Sequence, residues 1–321
     1  MIISCTKTEL NSKPKIRAKL AEVVSECNKL FGCSEDETFS LILSAIRAEE
    51  WNIVSIEEYG NRKLYNIDSD RIKSWINEKV IPNTVQVKTE DVDLLKLTVF
   101  SLAMPYKMLK GETKATMTEK IGRSKRRDFQ QIFSDTFIGK IGEIAFKKFI
   151  KDKFGKELDL DWEISKAITK YESDIVGSKK VVSIKSTDTL ESIWAEAPKP
   201  AEYGIFIKVV LPKDFFMKIL AHISSLKKFL RFVEDRINKQ DKMQNMLKFI
   251  EETAYREEMI IKAYVCGFFE TSGSTLRSKG EKLEYLGSKY EVYENKHVIK
   301  CDKLKYRLED WKSIFLPLIT P

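Results

Sequence analysis

Apolar residues recur at helical spacing over 16–34 (IRAKLAEVVSECNKLFGCS), where Leu20, Val23, Val24, Cys27 and Leu30 fall on one face. The next stretch, SEDETFSLILSAIRAEEW, opens on a capping signal and predicts a second helix. Gly60 breaks the pattern, and RIKSWINEKVI from Arg71 gives a third helix that ends at Pro82. The Val-Gln-Val around Gln86 is too short to assign. Residues 90–104 (EDVDLLKLTVFSLAM) predict a further helix running into Pro105.

From Lys107 to Arg127 the chain turns polar and basic, which predicts a loop or mobile segment with GRSKRR its most cationic part. DFQQIFSDTFIGKIGEIAFKKFIKDKFG then reads as one long helix closed by Gly155. DWEISKAITKYESDIVGSKKVVSIKST reads as short strands, with Gly177-Ser178 the tight turn of a hairpin. YGIFIKVVLP and IIKAYVCGFF are continuous apolar runs of buried-strand type. Between them, 213–258 predicts one or two amphipathic helices. Loops and short strands follow over 273–303, and LEDWKSIF gives a helical turn. The order predicts a mixed α/β fold, a central mixed sheet flanked by helices. A helical unit over 1–104 forms one domain, and 105–321 forms the core, with a basic segment at 105–130 and a C-terminal extension.

Length and composition fit this picture. A chain of 321 residues, 43% hydrophobic and 32% charged, can bury one or two cores. No apolar stretch reaches the roughly 18 residues of a membrane span, and MIISCTKTELNSKPK lacks the order of a secretory signal. The five cysteines are odd in number and scattered, as expected of reduced thiols in a cytoplasmic protein. Two histidines, His222 and His297, are too few and too isolated for a zinc hydrolase, and neither sits in a Ser-His-Asp context. No phosphate loop or GxGxxG motif points to a nucleotide cofactor. Chemistry therefore falls to carboxylates and lysines.

The net charge of +8 is concentrated. Pro105–Lys156 holds 14 Lys and Arg against 6 Asp and Glu, while the rest of the chain holds 42 of each. Such a segment is the electrostatic footprint of a polyanion partner. Arg123, Lys125, Arg126 and Arg127 are its densest part and the expected contacts to a phosphate backbone.

The segment SDIVGSKKVVSIKS carries the candidate chemistry. Ser183 and Lys185, two apart in a strand, share a face, and the hairpin can bring Asp174 beside them. A carboxylate that holds a divalent cation and an ammonium that positions water suit phosphodiester hydrolysis. Lys185 interrupts an apolar run, and a lysine there needs a reason. On the preceding helix, Phe137, Ile141, Ile144 and Ala145 make one apolar face, and Lys140, Lys147 and Lys151 make the expected solvent face. Glu143 falls apart from both, beside Gly139, Gly142, Phe146 and Ile150, which predicts a carboxylate aimed inward.

A helix bearing Gly-Glu, then Asp, a short hairpin, x-x-Lys in a strand and a further buried strand resembles the PD-(D/E)xK nuclease superfamily. Within it, the chain looks most like the type II restriction endonucleases. The resemblance covers roughly 130–212, with the strand at 259–269. It implies that Asp174 is the motif aspartate and a metal ligand, Lys185 the motif lysine, and Glu143 the helical glutamate that completes a Mg²⁺ site. It also implies double-stranded DNA as substrate, sequence-specific cleavage and a homodimer. Two positions depart from the pattern. Ser173 stands where proline is frequent, and Ser183 stands where the second acid belongs. Glu143, then Glu196 and Asp188, are the candidates to replace that acid. A repair or junction-resolving nuclease and a degenerate protein that only binds DNA are the alternatives.

Overall fold

The computed structural model describes residues 1–60, 62–88, 91–110, 128–162, 173–212 and 260–319, with isolated residues between 215 and 232. The expected helices of 213–258 and the four basic residues from Arg123 to Arg127 lie outside the described residues.

The centre is a four-stranded mixed sheet in the order β4 (Thr84–Lys88), β8 (Ile260–Glu270), β7 (Tyr203–Val210), β5 (Val182–Thr187). The β4–β8 and β8–β7 pairs are antiparallel, and β7–β5 is parallel. Both apolar runs become its two central strands, because buried strands need side chains that suit a core on either face. Helices α5 (Val92–Leu109) and α6 (Phe129–Phe154) cover one face. There Phe146, Phe149, Phe268, Trp311 and Phe315 pack as an aromatic cluster; the Phe268 and Trp311 ring centres are 4.5 Å apart. Trp311 and Phe315 come from the helical turns Trp311–Phe315 near the C-terminus.

On the other face, α2 (Lys13–Phe31), α3 (Glu35–Ala48) and α4 (Ser69–Trp75) share a core with Phe206, Tyr264 and Phe269 of the sheet. The expected capping signal is present at α3: Ser34 accepts from the Glu37 amide, and Glu37 accepts from that of Ser34. Two aspects of the N-terminal unit differ from the sequence reading. It is not only helical, since β1 (Ile2–Thr6), β3 (Arg62–Asp68) and β2 (Val54–Tyr59) form an antiparallel sheet. β2 is almost wholly exposed and has no apolar alternation to announce it. And the short Val-Gln-Val run becomes β4, which pairs with β8 of the central sheet although it precedes residue 104.

A smaller antiparallel sheet, β6 (Trp194–Pro198), β12 (Lys296–Lys300) and β9 (Thr275–Arg277), and the hairpin of β10 (Lys282–Tyr285) with β11 (Ser288–Glu291) complete the fold. No helix among the described residues is long and apolar enough to cross a membrane.

Candidate active site at the edge of strand β5

β5 is an edge strand of the central sheet, and the segment around Asp174 docks on its outer side. The Asp174 amide donates to the Val182 carbonyl at 3.0 Å, and Ile175 bridges to Leu160. Gly177, at φ 73°, turns the chain back as expected of that glycine. Ser173 is woven into the turn. Its hydroxyl accepts from the amides of Ile175 and Val182 and from Ser178 Oγ, at 3.3, 3.1 and 2.7 Å. A proline could accept none of these.

The Asp174 carboxylate faces the strand edge, where Oδ2 accepts from the Ile184 amide at 2.7 Å. An edge amide that has no strand partner thus fixes one carboxylate oxygen and leaves Oδ1 without that bond. Burial pushes the Asp174 carboxyl up. Lys185, the Ile184 amide and Lys140 pull it the other way, and Asp161 adds to the rise. Lys185 is half-buried, and its ammonium is the cation Asp174 feels most strongly.

Helix α6 reaches the site from the face where Val182 and Ile184 are packed. Gly142 makes the approach possible: a Cβ there would lie 2.5 Å from the Ser186 Cβ and 2.6 Å from its Oγ. Ser186 ties strand to helix by donating to the Ile138 and Gly139 carbonyls at 2.6 and 3.2 Å. Gly139 has open space instead, so only one of the two glycines is needed for contact. One residue beyond Gly142, Glu143 turns inward with its side chain 13% exposed. Burial drives its carboxyl up to about 8, Lys140 opposes the rise, and the charges of Asp174 and Asp161 add to it.

Lys140 corrects the helical wheel, which set it on the solvent face. It is buried, 2.6 Å from Glu143 Oε2, and also donates to the Asp161 carbonyl. Lys147, beside it on the wheel, pairs with Asp93 of α5 at 2.8 Å, while Lys151 is exposed as expected. The wheel places side chains relative to one another but does not know that α5 and the 161–162 segment cover that side. Asp161 and Lys140 were thus missed as members of the site. The only sequence signal for them is their position: one turn before Glu143, and just after the helix closes.

Asp174 therefore feels Lys185, from its own segment, and Glu143, from α6, feels Asp174. Ser183 is wholly buried, and among the described residues its hydroxyl has no partner. By strand alternation it shares the face of Lys185, opposite the one α6 covers. Glu196 is engaged elsewhere, with Tyr290 and, at 3.1 Å, with Lys296, and Asp188 is exposed just past β5. Of the three candidates for the acid missing at Ser183, Glu143 is the one that feels the charge of Asp174.

No family model, curated protein or solved structure matches the chain. Among the described residues no group of three or more His, Cys, Asp or Glu side chains is arranged to cage a metal ion. Two carboxylates with free oxygens are nevertheless a fitting donor set for Mg²⁺. That ion keeps several waters and is commonly held by one or two carboxylates together with substrate phosphate.

Proposed function

We propose that the chain is a Mg²⁺-dependent endonuclease that hydrolyses phosphodiester bonds in double-stranded DNA. The observation that carries the reading is Asp174 at the edge of β5, between Lys185 of that strand and Glu143 of α6, with burial raising both carboxyls. Carboxyls raised by burial beside a specific charged partner cluster at functional sites.

Asp174 and Glu143 would hold the ion, which would polarise a phosphate oxygen and acidify a bound water. The Ile184 amide fixes the Asp174 carboxylate so that Oδ1 is presented without side-chain reorganisation. Lys185 orients the attacking water and offsets charge that develops on the phosphate. Gly142 and Ser186 set the distance between helix and strand, and so between Glu143 and Asp174. In this reading the basic residues Arg123, Lys125, Arg126 and Arg127 contact the DNA backbone, and the enzyme acts as a homodimer of type II restriction-endonuclease kind. Its action is sequence-specific.

The decisive experiment is incubation of plasmid DNA with the protein and Mg²⁺, followed by run-off sequencing of the ends. Discrete fragments with one shared end sequence are expected. Cutting confined to branched substrates would favour a junction-resolving nuclease. Retention of DNA with no cutting in Mg²⁺ or Mn²⁺ would leave a DNA-binding protein, the reading that the buried Ser183 in place of an acid favours.

A further inference from the structure

We propose that Lys140 is a built-in cation that limits this site to one divalent ion. The inference rests on the endonuclease reading, since it concerns the metal that reading requires.

Lys140 is held in one place from several directions. Its ammonium lies 2.6 Å from Glu143 Oε2 and donates to the Asp161 main-chain carbonyl. The Phe100 and Trp162 rings lie 5.4 and 5.3 Å away, and they meet each other edge to face at 5.7 Å. With the side chain 9% exposed, water can contribute little to its solvation. A lysine is rarely buried without a charge to answer it, and here the answer is the helical glutamate of the proposed site.

The two oxygens that hold the ammonium, one carboxylate and one carbonyl, are the hard donors a divalent cation would take. Two-ion nucleases place a second ion about 3.5–4 Å from the first. In this chain the oxygens next to Glu143 are already engaged by a covalently tethered cation. Lys140 is a positioning residue in this scheme. It orients Glu143 Oε2 and leaves Oε1 and Asp174 Oδ1 for the ion.

The test is isothermal titration of the full chain with Mn²⁺, reading the number of ions bound. One ion per chain is expected for the wild type and for Lys140→Arg, which keeps the cation. Lys140→Met, with a stem of similar length and no charge, is expected to bind two, and Lys140→Met combined with Glu143→Gln to lose the second. If Lys140→Met does not fold, Lys140→Gln serves, since it keeps a neutral donor toward Glu143. A wild type that binds two ions or none, or a neutral variant that binds only one, overturns the proposal. Its failure is separable from that of the function. A plasmid cut in Mg²⁺ by a chain that binds two ions sinks the proposal alone. A one-to-two change in ion count without any DNA cutting sinks the endonuclease alone.

Discussion

Two of the buried lysine–glutamate pairs among the described residues behave differently. In the N-terminal unit, Glu50 and Lys79 meet in the core, with Trp75 Nε1 donating to Glu50 Oε2 at 3.0 Å. Both side chains are at most 4% exposed. Burial alone would raise the Glu50 carboxyl, but Lys79 and then Lys208 hold it below its ordinary value. At the candidate site Glu143 has its own lysine at 2.6 Å, yet its carboxyl rises to about 8. Burial is the leading influence in both. What separates them is the neighbourhood: Glu50 has further cations and a donor around it, whereas Glu143 has two further carboxylates. The first pair is complete. The second keeps its carboxyl protonated, and a bound cation would have to displace that proton.

Breaking the complete pair should have the largest effect. Lys79→Met leaves Glu50 buried without its cation, which costs about 3–5 kcal/mol. A urea melt should show this loss, while cleavage per folded molecule stays within about twofold. A loss under 1 kcal/mol would mean that Glu50 protonates at little cost, and the contrast between the pairs would vanish.

At the incomplete pair the effect should fall on chemistry instead. Asp174→Asn keeps an acceptor for the Ile184 amide but removes the charge, and Lys185→Met removes the ammonium. Each is expected to lower cleavage by about 100-fold or more, in the range seen for catalytic groups. Their unfolding midpoints should shift by less than the equivalent of about 1 kcal/mol. Near-wild-type cutting by either variant would remove that residue from the site.

The spacing between helix and strand can be tested by two matched substitutions. Gly142→Ala drives a methyl into Ser186 and should cost about 1–3 kcal/mol, with cleavage reduced as α6 moves. Gly139→Ala meets open space and should stabilise the helix by up to about 1 kcal/mol. Equal effects at the two positions would mean that the close approach at Gly142 has no role.

A further test is pH dependence. Folded Glu143 keeps its proton up to about 8, whereas an ordinary glutamate releases it near 4.5. Between those values the folded state binds more protons than the unfolded state. Stability therefore falls as pH rises through that window; the contribution is full below 4.5 and gone above about 8. Glu143→Gln should flatten that part of a stability–pH curve. Proton and cation compete for the same carboxylate, so the wild type should need less Mg²⁺ as pH rises toward 8. A pH-independent Mg²⁺ requirement would show that Glu143 is not a ligand.

Local pattern was enough for part of this protein. The continuous apolar runs of β7 and β8, the capping box of α3 and the long helix closed by Gly155 are set by interactions a few residues apart. A sequence displays these directly. The same holds for the nearness of Asp174 and Lys185, although Asp174 lies in a bend before the Gly177 turn and not in the expected hairpin strand, and for the separation of Glu143 from the other helix faces. Strands β2 and β4 were not legible as such. An exposed edge strand takes its stability from its partner's backbone, and a five-residue strand has too few side chains to show a period.

Lys140 was decided by tertiary structure alone. Helical periodicity fixes its angle around α6 but not what stands opposite, and its surroundings come from Phe100, Asp161 and Trp162, on either side of that helix in sequence. The ionisation of Glu143 was decided the same way. Burial raises it most and the Asp174 and Asp161 charges add to the rise, and both depend on segments whose meeting only the fold determines.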